Sequence, residues 1–416
     1  MVVVGAGLQG VASAWFLAQA GHKVTVLERA ASVAQGASHA NSGLLTPSMA
    51  DPWNEPGLPA KLWRWLGRED APFLLRLSAL PSLLRWGPAF LRHSRPAAYR
   101  ASLEANLRLA RYSLDVLRGL RSSLPLAYDE RTDGTLKIFR DPAALDAAAA
   151  RTAQFARLGL RLRRLSPDEA VAFEPTLTEA RAHLAGAIHF PDDETGDARR
   201  FTEALAGHAR AAGVEFRFDV EVTGFTRSGR RVTTVVTDHE RFPADVVVIA
   251  AGSWSPPLAR RLGLRLNLQP VKGYSVTLPI GAWRAPRHAL VDDALHIAVN
   301  PLGKRLRVAG TAELAGYDAS IPPARIENLY ALLLDVFPSY APHLDCSSAA
   351  PWAGFRPMSA DGVPFIGRLG YDNLYVNTGH GHLGWTMAAG SAKLLADLVT
   401  GQAAGLDAAP YRPDRR

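Results

Sequence analysis

Apolar residues along the chain predict alternating strands and helices. "VVV" at residues 2–4 is an unbroken apolar run, typical of a buried strand, and "KVTVLE" alternates valine with polar residues as a second strand. Residues 8–20, between them, predict a helix. The apolar runs at 244–252 ("ADVVVIAAG") and 373–379 ("NLYVNTG") predict buried parallel strands. The last of these leads into a helix at about 383–400.

The middle of the chain has a different pattern. Residues 60–122 are largely helical, with breaks expected at Pro72, Pro81, Pro88 and Pro96. Further strands are expected at 134–139 and 186–190, in "VEFRFDVEVTGF" and "RVTTVVT", and across 270–310, with helices at about 142–157, 198–212 and 322–336. We therefore predict an α/β fold in which an antiparallel α+β unit interrupts a parallel one.

Parallel-type strands at the start, middle and end of the chain indicate one Rossmann-like dinucleotide-binding domain built from discontinuous segments. We assign residues 1–59, 196–265 and 346–416 to this domain. An inserted substrate-binding domain with an antiparallel sheet takes residues 60–195 and 266–345. The length of 416 residues is sufficient for two cores.

Composition and charge narrow the class of protein. The chain is 48% hydrophobic and 21% charged, as globular proteins are, and its net charge of +8 comes almost entirely from arginine. Genome composition or an anionic partner would each explain that charge. One cysteine, Cys346, excludes an intramolecular disulfide and suits a reducing compartment. With no visible secretory signal and no apolar run of membrane-spanning length, we expect a cytoplasmic location.

Three glycines near the N-terminus predict a dinucleotide site. Gly5, Gly7 and Gly10 form G-x-G-x-x-G between the first strand and helix, and Glu28 ends the second strand. In this motif the first glycine permits a tight turn, the second lets the backbone approach a pyrophosphate, and the third lets helix and strand pack closely. Glu28 would accept hydrogen bonds from ribose hydroxyls and repel a 2′-phosphate. Ala6 and Arg29 adjoin these positions, and the motif alone leaves FAD and NAD open.

A second glycine-rich segment lies near the C-terminus. "NTGHGHLGW" at 377–385 holds His380 and His382 among glycines, directly before a predicted helix. A metal site, a catalytic histidine pair and an anion cradle each suit this composition. We expect no metal, because nothing nearby offers a third ligand at suitable spacing. Two roles remain open for these histidines: they line the loop, or they contact the cofactor or the substrate.

Several stretches together resemble a known family. "GASHANSGLLTP" (36–47), "PWAGFRPMSADGVPFIG" (351–367) and "NTGHGHLGWTMAAGSAKLLADL" (377–398) resemble the FAD-dependent amino-acid oxidoreductases of the D-amino-acid oxidase, glycine oxidase and sarcosine oxidase superfamily. With "SMADPWNEPG" and "QPVKGYSVTLP" the chain looks most like the D-amino acid dehydrogenase branch. The resemblance spans nearly the whole chain and implies FAD as the cofactor. Trp352 stands near the position where some relatives carry a flavin-linked cysteine, so we expect FAD to be non-covalent.

The resemblance also implies which residues hold FAD. The loop from residue 36 would wrap the pyrophosphate and reach the isoalloxazine, Val220 would contact the adenine side, and the segment near residue 252 the middle of the cofactor. The turn after the last strand would face the N1/C2 edge of the flavin, where reduced flavin is negatively charged. The residues so implied are Ser38, Asn41, Ser42, Gly43, Leu44, Val220, Ala251, Gly252, Trp254, Gly379, His380, Gly381, His382, Leu383, Gly384, Trp385 and Thr386.

The implied reaction moves a hydride from Cα of a D-amino acid to flavin N5, and the imino acid is hydrolysed to a 2-oxo acid and ammonia. Arg356 matches the carboxylate-binding arginine of the family, and Tyr274 is a second carboxylate candidate. His380 is a further candidate for a catalytic role. Trp53, His39 and His296 are weaker candidates for the side-chain pocket. A D-proline or hydroxy-D-proline substrate is an open variant.

Residues 71–96 mix Leu, Phe and Trp with arginine, and Phe73, Leu77, Leu80 and Leu84 have helical spacing. We expect the apolar side of this segment either to pack inside the protein or to contact the inner membrane on its cytoplasmic side. In the second case the enzyme would pass electrons to a quinone or an electron-transfer protein. Alternatives are a glycine- or sarcosine-type oxidase that uses oxygen, a flavin subunit of a larger complex, and a tRNA-modifying flavoprotein. Because the arginines are dispersed, no nucleic-acid partner is expected.

Overall fold

The computed structural model describes residues 1–58, 73–281, 283–344 and 347–415. The α-helices of these ranges are α1 (Leu8–Gln19), α2 (Leu80–Arg92), α3 (Pro96–Ser123), α4 (Pro142–Ala153), α5 (Pro167–Phe173), α6 (Ala198–Ala211), α7 (Ser255–Arg260), α8 (Pro323–Val336) and α9 (Ala388–Thr400). Several begin where the sequence offers a cap: Asp141 and Asp197 accept first-turn amides of α4 and α6, and Ser166 with Glu169 forms a capping box on α5. Gly401 ends α9 in the left-handed conformation.

The strands fall into two large sheets and two small ones. In chain order they are β1 (Val2–Val4), β2 (Thr25–Leu27), β3 (Leu44–Leu45), β4 (Phe73–Leu75), β5 (Thr135–Phe139), β6 (Arg163–Leu165), β7 (Gly186–Phe190), β8 (Glu194–Thr195), β9 (Glu215–Arg217), β10 (Val222–Ser228), β11 (Arg231–Thr237), β12 (Arg241–Pro243), β13 (Val247–Ile249), β14 (Leu268–Pro279), β15 (Ala289–Asp292), β16 (Ile297–Leu302), β17 (Arg305–Leu314), β18 (Ala350–Ser359), β19 (Phe365–Arg368) and β20 (Leu374–Thr378). β3 pairs with β8, and β10 to β12 form an antiparallel meander.

The first large sheet has the order β19-β20-β13-β1-β2-β9. Its pairs are parallel except at the β19 edge. β1 and β13 are buried along their whole length because α1, α6 and α9 cover one face and the meander with α7 covers the other. Three separate parts of the chain therefore build one doubly wound sheet, which confirms the predicted fold class.

The second large sheet has the order β18-β14-β17-β16-β15-β5-β7-β6, with β4 added to β17. It is mostly antiparallel, except that β4 pairs parallel with β17 and β5 with β15. Helix α8 packs on one face, around Leu329 and Leu333. The opposite face is turned toward the first sheet, which places a space between the two sheets.

The secondary structure differs from the prediction at some prolines and at one helix start. The expected break at Pro96 is present, because residues 93–95 separate α2 from α3, whereas Pro81 lies in the first turn of α2, where proline is tolerated, and Pro88 lies inside α2 without ending it. Pro72 lies outside the described residues. Helix α9 starts at Ala388, five residues later than predicted, because a 3₁₀ turn at Gly381–Leu383 comes first.

The sheets also divide the chain differently from the predicted domains at two places. β18 lies within the predicted FAD-binding segment 346–416 but pairs with β14 of the second sheet. Helix α3 lies in the predicted substrate segment, yet its leucines pack in the core formed by α1, α6 and α9. The remaining boundaries stay a prediction.

Candidate active site

The glycine-rich turn after β1 is shaped by close backbone contacts. Gly5 has φ +104°, and a Cβ there would lie 2.7 Å from the carbonyl oxygen of Ala250. A Cβ on Gly10 would lie 1.8 Å from the carbonyl oxygen of Gly5, so only glycine lets α1 pack this near to β1. Gly7 is the N-cap of α1 and provides no side-chain cap, which leaves the positive end of the helix dipole facing the space between the sheets.

Glu28 and Ser38 brace this turn. The Glu28 carboxylate accepts the backbone N–H of Ala6 at 2.7 Å and that of Ala30 at 3.0 Å. Ser38 Oγ accepts the N–H of Leu8 at 3.1 Å. Arg29 stacks on the Trp254 ring, with its guanidinium carbon 4.0 Å from the ring centroid. These contacts arrange β1, β2 and the loop after them around one opening.

A cavity of about 960 Å³ runs from this opening to the face of the second sheet that lies opposite helix α8. It begins at the carboxyl ends of the parallel strands, where doubly wound folds bind their ligands. Most residues predicted to hold a cofactor line it. The exceptions are Ala6, Gly10, Gly43 and Gly379, which shape the loops from behind.

The loop at 38–44 is attached to the second sheet. Ser275 donates to the carbonyl of Ala40 at 2.6 Å, and Asn300 and Arg307 donate to the carbonyls of Ser42 and Asn41, each at 2.8 Å. Gly43 has φ +73°, and a Cβ there would lie 2.7 Å from the Asn300 amide. The sequence analysis did not identify these three anchoring side chains, because they are distant in sequence and carry no motif.

The turn at 379–387 forms another wall. Gly379 and Gly381 both have positive φ, and a Cβ on Gly381 would meet Met358 Sδ at 2.9 Å. Gln9, an unspecified position of the N-terminal motif, donates to the carbonyl of Gly384 at 2.8 Å and joins this turn to α1. The Trp385 indole N–H donates to the carbonyl of Gly196 at 3.0 Å and its ring packs in the core, so the indole is structural.

His380 is buried and held by its helix. Ser391 donates its hydroxyl hydrogen to the carbonyl of Met387 at 2.6 Å, so His380 Nε2 carries the hydrogen of its 3.0 Å bond to Ser391 Oγ. Nδ1 then carries the lone pair, and it has no hydrogen-bond partner in the described part of the protein. Burial lowers the pKa of His380 to about 3, so the ring is neutral.

His382 faces the cavity from the same turn. Its ring stacks on Trp53 with 5.2 Å between the centroids and 20° between the planes. Burial, followed by the positive charge of Arg356, lowers the pKa of His382 to about 4, while the Met49 carbonyl and Asp51 act in the opposite direction. The imidazole is therefore neutral near pH 7.

Arg356 projects from β18 over the second sheet. Its guanidinium lies across Gly273, where a Cβ would be 2.0 Å from Nη1, and Nη1 donates to the carbonyl of Thr311 at 3.2 Å. The guanidinium carbon is 5.4 Å from the Trp53 centroid. Burial lowers the pKa of Arg356 to about 10, and no carboxylate of the described ranges forms an ion pair with it. A cation held in this way inside a cavity is a ready site for an anion.

Tyr274 lines the cavity and is hydrogen-bonded to a buried carboxylate. Its hydroxyl donates to Glu313, a carboxylate that also pairs with Arg76 at 2.8 Å and lies 3.9 Å from Lys272 Nζ. Burial and this carboxylate raise the pKa of Tyr274 well above its usual value. The phenol is thus already hydrogen-bonded within the protein, although Tyr274 lines the cavity, and its role as a second carboxylate partner stays a prediction.

The weaker predictions have mixed outcomes. Trp53, His296 and Trp352 line the cavity, whereas His39 does not; it stacks on Trp352 with 6.3 Å between the centroids. Cys346 lies outside the described residues. Across those residues, no group of three or more His, Cys, Asp or Glu side chains is placed to hold a metal ion.

The site therefore combines a glycine cradle at a helix N-terminus with a cavity that ends at a half-buried arginine. The family model described as FAD dependent oxidoreductase matches residues 1–398. The chain belongs to the FAD-dependent oxidoreductase family. It is an enzyme whose cofactor is FAD, and the cradle at Gly5 to Gly10 fits the phosphates of that cofactor, because backbone N–H groups and a helix dipole favour anions.

Curated relatives of this FAD-dependent oxidoreductase match along its full length. A protein of Cereibacter sphaeroides named D-amino acid dehydrogenase is 46% identical, covering 100% of this chain and 95% of the relative. One of Neisseria meningitidis serogroup C with the same name is 41% identical, covering 97% and 96%.

Solved structures agree on the fold. Glycine oxidase from Geobacillus kaustophilus superposes with a TM-score of 0.76 at 25% identity, covering 100% of this chain and 98% of that one. L-proline dehydrogenase from P. horikoshii superposes with a TM-score of 0.77 at 19% identity, covering 99% and 96%.

Proposed function

We propose that this enzyme oxidises D-amino acids at Cα. The relatives described above carry that name, and the observation that supports it in this chain is the half-buried Arg356 guanidinium, which lines the cavity without a carboxylate partner among the described residues. A guanidinium binds a carboxylate through two parallel hydrogen bonds, which fixes both the position and the plane of the ligand. Every amino acid carries that carboxylate.

The residues that would hold FAD divide by the part of the cofactor they face. Backbone groups from Gly5 to Gln9 would receive the pyrophosphate, and Glu28 the ribose hydroxyls, for which its remaining lone pairs are sufficient. The 38–44 loop and the 380–386 turn would enclose the isoalloxazine, whose attachment we propose to be non-covalent. When bound, FAD supplies the hydride acceptor for the reaction.

The protein's own contribution is orientation. Arg356 would hold the carboxylate, and Trp53 with His382 would form a wall beside it, so that Cα has one fixed position. The amino group reacts in its neutral form, because its lone pair replaces the departing hydride. The imino acid product is hydrolysed by water to the 2-oxo acid and ammonia, while a cyclic substrate such as D-proline would yield a ring imine.

The visible spectrum tests this proposal. Purified enzyme is mixed under anaerobic conditions with pooled D-amino acids and then with pooled L-amino acids, and the flavin band is followed. We expect bleaching by the D-pool only. Bleaching by L-amino acids alone, or by neither pool, would refute the proposal.

For the electron acceptor we propose a quinone in an anionic membrane, reached through helix α2. Four leucines on and before this helix are exposed, Leu77 and Leu84 to 76% each, whereas Trp86 and Phe90 on the other side are buried. Arg85, Arg92 and Arg95 are exposed around them, and residues 71–103 contain no acidic side chain. An apolar stripe bordered by arginine suits an anionic lipid surface. Phe73, predicted to belong to this stripe, instead lies in β4 and packs inward.

Oxygen is the alternative acceptor, since glycine oxidase from Geobacillus kaustophilus shares the fold over its whole length. Oxygen uptake with a bleaching D-amino acid, measured with and without a soluble quinone, distinguishes the two. We expect turnover to depend on the quinone. No helix within the described ranges combines the length and hydropathy needed to cross a bilayer.

A further inference from the structure

His382 is placed to act together with Arg356. Both contact the Trp53 ring, Arg356 with its guanidinium carbon at 5.4 Å and His382 with its ring centroid at 5.2 Å. These two distances limit the separation of the two groups to about 11 Å. All three side chains line the cavity.

An α-amino acid held at both ends needs a separation that lies within this limit. A guanidinium–carboxylate pair and an N–H···N hydrogen bond, each with a donor–acceptor distance of about 2.9 Å, are joined by two covalent bonds of about 1.5 Å. The whole span from guanidinium carbon to imidazole is roughly 8–10 Å. The carboxylate and amino group of one ligand can therefore contact both residues.

The protonation state suits an acceptor. The pKa of His382 is lowered to about 4 by burial and by the charge of Arg356, so one ring nitrogen carries a lone pair near neutral pH. A carboxylate bound to Arg356 would neutralise that charge and remove one cause of the lowering. The imidazole thus becomes a stronger hydrogen-bond acceptor when substrate binds.

We propose that His382 accepts a hydrogen bond from the α-amino group of the substrate while Arg356 holds its carboxylate. The two residues together select compounds that carry an amino group next to a carboxylate, and they fix the position of the amino nitrogen in the cavity. This inference rests on the proposed function. It assigns to His382 a contact with substrate and not only a place in the cavity wall.

The test uses two ligands that differ only by the amino group, D-alanine and propionate. Propionate binding is measured from the perturbation of the flavin spectrum, and D-alanine binding from the concentration dependence of anaerobic bleaching. His382→Leu removes the acceptor, and His382→Gln replaces it with an amide oxygen. We expect the Leu variant to bind D-alanine about 10- to 100-fold more weakly and propionate within about threefold of wild type. The Gln variant should stay near wild type for both.

A pH series gives a second readout. Protonated His382 would repel the substrate ammonium, so D-alanine binding by the wild type should weaken, by up to about tenfold per pH unit, as pH falls below the pKa of His382 in the free protein, about 4. Arg356 and Asp51 are the charged groups that set this pKa, in opposite directions. The Gln variant should lack this acidic limb, and propionate binding should lack it in both proteins.

Two results overturn the inference alone. One is unchanged D-alanine binding in the Leu variant. The other is equal weakening of both ligands in that variant, which would mean that His382 only shapes the Arg356 pocket. If no D-amino acid bleaches the wild-type enzyme, the proposed function fails and the inference falls with it.

Discussion

At the scale of single residues, the site depends on one unusual cation. Several half-buried arginines of this protein pair with a carboxylate: Arg121 with Glu194, Arg140 with Asp292 and Arg415 with Asp361. Arg356 donates only to a carbonyl in the described ranges and is half-buried in the cavity wall. Because it is costly to desolvate a charge without an opposite charge, this arrangement supports the proposal that a ligand carboxylate binds there.

Replacing Arg356 with alanine should abolish carboxylate recognition without loss of FAD. Removing one partner of a buried charge pair costs about 2–5 kcal/mol, which corresponds to a decrease in kcat/KM of roughly 30- to several-thousand-fold. Steady-state kinetics and the flavin absorbance of the purified variant measure the two quantities. Arg85→Ala, at an exposed arginine, is the matched control. Unchanged turnover in Arg356→Ala would disprove the assignment.

At the scale of elements, strand β14 positions this arginine. Gly273 lies opposite Gly354 of β18 and leaves the sheet surface flat where the guanidinium crosses it. A side chain at this position would occupy the volume of Arg356 itself. The glycine in "VKGYS" is therefore explained by a close approach of a side chain, and not by a positive φ.

Gly273→Ala should weaken substrate binding by displacing the guanidinium. The new Cβ would lie 2.0 Å from Nη1, and the flexible end of Arg356 moves more easily than the strand. We expect an increase in KM of at least tenfold with FAD content and melting temperature nearly unchanged. Gly207→Ala, in α6 where a Cβ meets nothing within 4 Å, is the control. Wild-type KM in Gly273→Ala would show that the guanidinium adjusts without cost.

The buried carboxyl of Asp193 joins the 3₁₀ turn at Pro47–Met49 to strand β5 of the second sheet. Asp193 accepts hydrogen bonds from Ser48 Oγ at 2.5 Å and Thr135 Oγ1 at 2.7 Å. Burial raises the pKa of Asp193 to about 7, which outweighs the effect of its donors. The folded protein therefore holds this proton more tightly than the unfolded chain does.

Stability should decrease with pH because of Asp193. Its contribution is complete below the unfolded pKa, near 3.9, and is lost as pH rises through about 7, a change of a few kcal/mol. Urea unfolding between pH 5 and pH 8 should show this decrease for the wild type and a flatter curve for Asp193→Asn. Asp192→Asn, whose pKa Arg161 lowers, is the neighbouring control. Identical curves for wild type and Asp193→Asn would contradict the prediction.

At the scale of the whole molecule, the cavity and the leucine-rich surface share structural elements. Phe90 of α2 lines the cavity on one side of the helix, while Leu84 and Leu91 are exposed on the other. β4 continues this segment and pairs with β17, which carries Thr311 of the Arg356 site. A membrane bound at α2 would therefore lie one helix diameter, about 10 Å, from the cavity wall.

Charges placed on the leucine stripe should abolish membrane binding. Leu77→Asp with Leu84→Asp introduces two anionic groups into an apolar surface, so co-sedimentation with vesicles containing anionic lipid at low salt should fall at least tenfold. Activity with a soluble quinone should persist. Ile321→Asp, at an exposed apolar residue elsewhere, should sediment like wild type. Failure of the wild type to bind such vesicles would remove the membrane proposal.

Much of the fold could be predicted because its signals are local. The G-x-G-x-x-G turn, the alternating "KVTVLE" and the apolar "VVVI" each encode one element within a few residues, and the structure places them in adjacent parallel strands. The predicted secondary structure and domain boundaries are less accurate where contacts with residues distant in sequence determine the conformation. Pro88 lies inside α2 without ending it, and β18 joins the second sheet, because tertiary packing selects among locally acceptable conformations.

The sequence by itself determined the class of the molecule: a doubly wound nucleotide-binding sheet, an inserted antiparallel sheet and an arginine in a family motif. Only the tertiary structure decided which side chains act together. In the tertiary structure Tyr274 donates a hydrogen bond to Glu313, and Arg356 and His382 both contact Trp53. The guanidinium of Arg356 lies over Gly273. The physical reason is that hydrogen bonds, ion pairs and desolvation depend on distances of a few ångströms between residues far apart in the chain, and no local pattern encodes those distances.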